Sequence, residues 1–127
     1  MVESSAKHAA RHTRPPSEID PENAMVRLSD EARRRFKELY DGTSDDRYTF
    51  NRSTHASIGG FAQVPEFSLK VFIQELPKII QETERWAGAN GNEKAREALN
   101  GVLEALAEDK GFMLAGNLRG AQREARA

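Results

Sequence analysis

Residues 65–88 read PEFSLKVFIQELPKIIQETERWAG and carry a long helical pattern of apolar side chains. Apolar residues recur there at intervals of three and four, which indicates one buried face of an α-helix. The recurring positions are Leu69, Phe72, Ile73, Leu76, Ile79 and Ile80. Phe67 and Val71 add apolar surface on a second side. We therefore expect this helix to be central in its domain or to be covered by another chain.

Pro77 lies inside this helical pattern. A proline in a helix interior removes one backbone hydrogen bond and its ring clashes with the preceding turn, at a cost of about 3 kcal/mol. We therefore predict a kink or a break near residues 73–77. The helix as a whole is predicted to begin at Pro65 or Glu66 and to end near Gly88.

The next predicted helix is marked at both ends. Residues 90–111 read NGNEKAREALNGVLEALAEDKG, with Asn90 and Glu93 spaced as a capping box and Gly111 as a stop signal. The short polar link AGANGN makes this helix an antiparallel neighbour of the preceding one. We expect this helix pair to form the centre of the domain.

The outer face of that helix is acidic. Polar residues recur on it at intervals of four, three, four and four. We call this set the acidic ridge: Glu93, Glu97, Asn100, Glu104 and Glu108. Like charges four residues apart disfavour a helix by a few tenths of a kcal/mol each, so the ridge does not help the isolated helix. It is a candidate surface for a basic partner, although acidic faces also occur on helices that contact only solvent.

An earlier helix is predicted over residues 28–42, LSDEARRRFKELYDG. Ser29 is a suitable N-cap, acidic residues follow it in the first turn, and Gly42 is a suitable stop. The apolar positions fall on one side: Leu28, Ala32, Phe36, Leu39 and Tyr40. The basic run at 33–35 is interleaved with acidic residues, which favours a solvated face over a nucleic-acid contact.

Residues 43–64 connect this first helix to the long one, and a structureless loop of about 20 residues is unusual in a small domain. In one interpretation a short strand at 48–50 is followed by a hairpin that turns at the glycine pair 59–60. In the other, Ser53 caps a single helical turn that Gly59 ends. Both bury the same three anchors: Phe50, Ile58 and Phe61.

The same connection is a candidate contact surface. Its candidate residues are Arg47, Tyr48, Phe50, Arg52 and His55. Arg and aromatic residues commonly anchor protein interfaces, and they also bind single-stranded nucleic acid through stacking and phosphate contacts. We expect Arg47, Arg52 and His55 to face outward together.

The chain shows no strong catalytic pattern. His55 has Ser53 and Thr54 beside it, but a nucleophilic serine needs a base held by a third group in space, and adjacency in sequence does not supply that. The glycine pair lacks the lysine and spacing of a phosphate-binding loop. His8 and His12 are spaced as a helical metal pair, but in a segment predicted to be disordered. We predict a non-enzyme without a cofactor or a metal.

The domain organisation follows from composition and charge. The chain has 127 residues, of which 38% are hydrophobic and 31% charged. Residues 1–26 are predicted to be a disordered, basic and Pro-rich tail, 27–118 a single helical domain, and 119–127 a basic tail. Three basic residues and one acidic residue give residues 1–16 a charge of +2. Four basic residues and one acidic residue give 110–127 a charge of +3, so the remainder is acidic.

Localisation is predicted from absences. The chain has no cysteine, no apolar run near the roughly 18 residues of a membrane-spanning helix, and no apolar signal-peptide stretch at its N-terminus. We therefore expect a cytoplasmic protein. A folded part of about 85 residues buries only about 60 to 65% of its unfolded surface, which favours self-association or a partner.

The fold class predicted is mainly α: a small helical domain with a central antiparallel helix pair, a preceding helix and an irregular or weakly β connection, flanked by disordered tails. The function predicted is a non-catalytic interaction protein, such as a small subunit, adaptor, regulator or inhibitor, that binds another protein or its own copy. Its candidate binding residues are Phe67, Val71, Glu93, Glu97, Glu104 and Glu108. The alternative is a nucleic-acid-binding accessory protein that uses the Arg/aromatic connection and the basic tails.

Overall fold

The computed structural model describes residues 24–44 and 49–109. In these two ranges the chain forms four helices and one two-stranded sheet, and 77% of the described residues are helical. The elements are β1 (Met25–Arg27), α1 (Asp30–Gly42), α2 (Arg52–Gln63), β2 (Glu66–Ser68), α3 (Leu69–Asn90) and α4 (Glu93–Glu108). The predicted small, mainly helical domain is confirmed. Residues 1–23 and 110–127 lie outside the described residues. They include most of the predicted tail 1–26, the end of the predicted domain 27–118 and all of the predicted tail 119–127.

Helix α1 begins as its sequence predicts. The Ser29 hydroxyl accepts a hydrogen bond from the Ala32 amide at 3.1 Å, and Asp30 and Glu31 occupy the first turn, where the helix dipole favours acids. Ala32, Phe36 and Leu39 form the buried face, all with no exposed surface. The helix includes Gly42 rather than stopping before it, and Thr43 caps its C-terminal end.

Helix α2 fills most of the predicted irregular connection, so the hairpin interpretation was wrong. The helical interpretation had the right type of structure but the wrong cap and too short a length. Asn51, rather than Ser53, is the N-cap, and its side chain accepts from the Thr54 amide at 2.9 Å. The glycine pair 59–60 lies inside the helix. Each glycine costs a helix about 1 kcal/mol, but burial of Thr54, Ile58 and Phe61 on one face offsets this.

Strands β1 and β2 form an antiparallel ribbon, with Met25 opposite Ser68 and Val26 opposite Phe67. This ribbon corrects two predictions. Residues 25 and 26 belong to a strand rather than to a disordered tail, and Phe67 belongs to β2 rather than to the long helix. Val26 is 1% exposed and Phe67 packs against the core, so ribbon pairing is stabilised by burial of its inner face.

Helix α3 is continuous from Leu69 to Asn90, and the predicted break near 73–77 is absent. Pro77 is buried inside the helix. Nine residues of α3 are buried, so packing of this helix outweighs the backbone bond that Pro77 removes.

The turn between α3 and α4 is shorter than predicted, because α3 continues to Asn90 and α4 begins at Glu93. Gly91 adopts a left-handed conformation (φ 62°) that ends α3, and the Asn92 side chain, rather than that of Asn90, caps α4 by accepting from the Ala95 amide at 3.2 Å. Gly adopts this φ without the steric cost that a side chain brings, so the stop falls at Gly91 and not at Gly88. Helix α4 ends at Glu108, before the predicted stop at Gly111.

The core is arranged around α1. This helix packs more extensively on α2 and α4 than the predicted central pair, α3 and α4, pack on each other. The Phe36 ring lies 5.5 Å from Phe61 of α2 and 6.2 Å from Phe72 of α3, between ring centroids, with edge-to-face geometry. The other end of the core contains Trp86, which has no exposed surface and contacts Phe50.

The α1–α2 contact generates a matched pair of substitutions. A Cβ added at Gly59 would lie 2.9 Å from Cε1 of Tyr40, whereas one added at Gly60 meets nothing within 4 Å. Gly59→Ala is therefore expected to lower the free energy of unfolding by about 1 to 3 kcal/mol through overpacking. Gly60→Ala is expected to raise it by about 0.5 to 1 kcal/mol, because alanine favours the helix.

Chemical denaturation of the two single variants beside the wild-type protein checks this prediction. Both substitutions add one methyl group to the same helix, so only the local environment differs between them. Equal effects of the two substitutions on the midpoint of unfolding would contradict the close approach of Tyr40 to α2.

Candidate functional site

The Arg/aromatic connection does not form one surface. Arg47 and Tyr48 lie outside the described residues. Phe50 is 6% exposed and packs against the rings of His55 and Trp86. It is therefore a buried anchor, as one prediction stated, and its prediction as a contact residue was wrong. Arg52 is exposed at the start of α2. Of this predicted set, Arg52 is the one described residue that is fully available to a partner.

His55 has a structural role in this arrangement. Its ring stacks on that of Tyr40 at 4.1 Å, and its Nε2 lies 3.0 Å from the Tyr40 carbonyl oxygen. A carbonyl only accepts, so Nε2 carries the proton and donates it to this bond. The Ser44 hydroxyl lies 3.4 Å from the same nitrogen and itself donates to the Tyr40 carbonyl at 2.7 Å. This nitrogen is therefore not arranged as a base for Ser44.

The basic residues of α1 are paired within their own helix. Arg34 and Arg35 each contact Glu31 and Glu38, and Arg33 and Lys37 pair with Asp30 and Asp41. All of these pairs are three or four residues apart on an exposed helix face, where such pairs contribute a few tenths of a kcal/mol. The arrangement is that of a solvated, charge-balanced face rather than a basic patch.

A polar clamp holds residues 49–51 against α3. Glu82 accepts a hydrogen bond from the Asn51 amide at 2.7 Å and forms an ion pair with Arg85. Arg85 also donates to the Thr49 carbonyl at 3.2 Å. The hydrogen bond from Arg85, and more weakly the one from Asn51, hold the pKa of Glu82 below 4.5 against the opposing effect of burial. The clamp fixes the start of α2.

The acidic ridge lies on the outer face of α4, where the sequence placed it. All of its members are exposed: Glu93, Glu97, Asn100, Glu104 and Glu108. Glu93 forms an ion pair with Arg96, and the other three glutamates form none within the ranges 24–44 and 49–109. The ridge can therefore contact a basic surface, and its binding role stays a prediction.

An open depression of about 490 Å³ lies between the start of α1 and the end of α4. Its lining is mixed in charge: Arg27, Leu28, Ser29, Glu31, Ala105, Glu108 and Asp109. Asp109 is 5% exposed, and its carboxylate accepts a hydrogen bond from the Ser29 amide at 2.8 Å. This bond joins the end of α4 to the N-cap of α1, so the most buried polar group of the depression serves the fold.

Large hydrophobic side chains are exposed on the ribbon and directly beside it. Three large hydrophobic side chains are exposed in the described part of the chain: Met25 at 58%, Val64 at 46% and Val71 at 44%. Alternate residues of a strand share a face, so Met25 and Arg27 of β1 lie beside Ser68 and Glu66 of β2. Val71 follows in the first turn of α3, and Val64 precedes β2 in extended conformation.

We call this surface the ribbon face: Met25, Arg27, Val64, Glu66, Ser68 and Val71. Sequence reasoning identified Val71 but missed the other members. Met25 and Arg27 pair with residues about 40 positions later in the chain, and no local pattern marks a three-residue strand. The predicted partner of Val71, Phe67, faces the core instead.

Two kinds of site were looked for in the described ranges: a cluster of metal ligands and a membrane-spanning helix. Within residues 24–44 and 49–109, no group of three His, Asp or Glu side chains comes together in a way that could hold a metal ion. Over the same ranges, no helix combines the length and the apolar character needed to cross a membrane.

The comparisons with known proteins give no relative. No protein-family model, no curated protein and no solved structure matches this chain.

The clamp at Glu82 predicts a pH dependence. A carboxylate whose pKa is lowered by folding contributes stability above its ordinary value of 4.5, and this contribution is lost as the pH falls through the lowered value. Glu82→Gln is expected to lower the free energy of unfolding by about 1 kcal/mol at about pH 7, and by less at about pH 3.

Denaturation of the wild-type and variant proteins across this pH range measures the difference. Glu97→Gln is the matched control, because it removes one exposed carboxylate that makes no ion pair with another described residue. A Glu82→Gln penalty that is the same at both pH values, or that the Glu97→Gln control reproduces, would contradict the clamp.

Proposed function

We propose that the protein is a non-catalytic macromolecular interaction protein, a small subunit, adaptor or inhibitor that acts by protein-protein binding through the ribbon face. The observation that carries this proposal is the position of the exposed large hydrophobic residues. In the described ranges all three, Met25, Val64 and Val71, lie on the ribbon or directly beside it. Apolar side chains that cluster on one exposed face are typical of protein contact sites.

The position of Val71 strengthens the argument because stability alone disfavours a valine there. Val71 is the third residue of α3, in a first turn that contains no acidic residue, and the N-cap Ser68 makes no side-chain capping bond. An acidic residue at this position would interact favourably with the helix dipole, by about 0.3 to 1 kcal/mol. A half-exposed β-branched residue gives up that stability, which is consistent with selection for contact with a partner.

The acidic ridge is proposed as a second contact surface, for a basic partner. Glu97, Glu104 and Glu108 are exposed and have no ion partner among the described residues, so complementary charge on another molecule would meet them without displacing an internal contact. Such a contact increases the association rate and is weakened by salt. We place this binding activity in the cytoplasm, as the sequence predicts.

The alternative function, nucleic-acid binding, depends on few described residues. The arginines of α1 already pair with acids in their own helix, which leaves Arg52 as the exposed arginine of the predicted set. The alternative therefore depends mainly on Arg47 and the basic tails, which lie outside the described residues. It predicts binding that is lost after nuclease treatment and falls steeply as salt rises.

Val71→Asp tests the protein-binding proposal without disturbing the fold. The new carboxylate is expected to leave the thermal midpoint unchanged or slightly raised, because it lies in the first turn of α3. It is also expected to reduce recovery of protein partners by about ten-fold or more, because it puts a charge into an apolar contact. The measurement is affinity capture from a nuclease-treated native lysate, quantified by mass spectrometry.

Ala89→Asp is the matched control. It adds a carboxylate at an exposed position of the same helix, 18 residues further on and therefore about 27 Å away. Residue 89 lies in the last turn, where the helix dipole disfavours an acid, so a small loss of stability is expected for this control. Its partners should equal those of the wild-type protein. If Val71→Asp, folded as stably as the wild type, captures the same proteins at the same level, the ribbon face does not bind the captured proteins.

A further inference from the structure

The ribbon face carries two opposite charges side by side. Arg27 and Glu66 are direct partners in the antiparallel register, and both are exposed. Among residues 24–44 and 49–109, neither side chain forms an ion pair with the other or with any third residue. Both charges are therefore available to a second molecule, on the face that also carries Met25. The exposed Val71 follows closely in the chain, in the first turn of α3.

A surface with this arrangement is complementary to itself. Consider a two-fold axis that is parallel to the strands and lies above the outer face of the ribbon, midway between β1 and β2. Residues that are opposite each other in the register, such as Arg27 and Glu66, lie at the same height along this axis. The axis therefore places Arg27 of each copy over Glu66 of the other, and the second contact follows from the first by symmetry.

The same axis also covers the apolar side chains. Met25 is opposite Ser68 in the register, so it would lie over the position of Ser68 in the second copy. Helix α3 begins at Leu69, directly after Ser68, and exposes Val71 in its first turn. One symmetric contact therefore removes both the exposed methionine and the exposed valine from water while it pairs both charges.

We propose that the ribbon face binds a second copy of this chain in a two-fold dimer, held by reciprocal Arg27–Glu66 ion pairs and by apolar contacts of Met25 and Val71. This inference rests on the proposed protein-binding function and specifies its partner. An unrelated partner would need a matching order of charges, which a second copy supplies by symmetry. Two three-residue strands give a small interface, so the dimer is expected at micromolar concentrations or above.

Charge exchange tests this geometry. In R27E each dimer would contain two Glu–Glu contacts, and in E66R two Arg–Arg contacts, so each variant alone is expected to dimerise about ten-fold or more weakly than the wild type. In an equimolar mixture of the two variants, every contact is again between Glu and Arg. The mixture is expected to form heterodimers with close to wild-type affinity.

Sedimentation equilibrium of the full chain, with one variant carrying a fluorescent label, measures all three associations. Recovery of the heterodimer shows that both variants are folded, because a misfolded variant would not regain a specific contact. The dimer is contradicted if the wild type stays monomeric across the concentration range. The ribbon face is contradicted as its interface if the wild type dimerises and the mixture associates no better than either variant alone.

Failure of this dimer is distinguishable from failure of the proposed function. A monomeric wild-type protein whose capture of other proteins still depends on Val71 would overturn the dimer and leave protein binding through the ribbon face intact. If Val71→Asp has no effect on capture, while the charge-exchange mixture restores dimers, self-association is the binding function of this surface.

Discussion

The buried face of α1 is the constraint on which the other helices depend. Its three fully buried residues, Ala32, Phe36 and Leu39, must be covered by neighbours, and a 13-residue helix cannot do this alone. Phe36 is covered by aromatic rings of α2 and α3, and the N-cap of α1 is joined to the end of α4 by the bond between Ser29 and Asp109. Removal of this face from water therefore brings together segments that are up to 80 residues apart.

Burial of this face also explains why the segment that contains His55 is helical. Helix α2 contains two adjacent glycines and forms because its apolar side packs on α1, where Gly59 leaves room for the Tyr40 ring. Tyr40 in turn stacks on His55, and its backbone carbonyl accepts a hydrogen bond from His55 Nε2. His55, which was predicted to face outward as a contact residue, is thus used to join two helices. Held in this way, His55 contributes packing and a hydrogen bond to the α1–α2 contact.

Two surfaces remain after the core is formed, and they differ in chemistry. The acidic ridge is long, charged and exposed on α4, and it suits a basic partner whose affinity falls with salt. The ribbon face is shorter, mixes apolar side chains with one positive and one negative group, and is complementary to itself. The two surfaces lie on different elements, α4 and the β1–β2 ribbon, so each can be altered by single substitutions without changing the other.

The sequence by itself determined the helical character, the Ser29 cap of α1, the buried positions Phe50, Ile58 and Phe61, and the exposure of the acidic ridge, because helical periodicity and capping are local. It could not determine that residues 52–63 are helical, that α3 continues through Pro77, or that residues 25–27 pair with 66–68. In each of these cases the local preference for the observed structure was weak, or the residue disfavoured that structure. Burial against distant segments outweighed this local effect. The ribbon face exists only because of such long-range pairing, so tertiary structure alone decided where Met25, Arg27 and Glu66 meet.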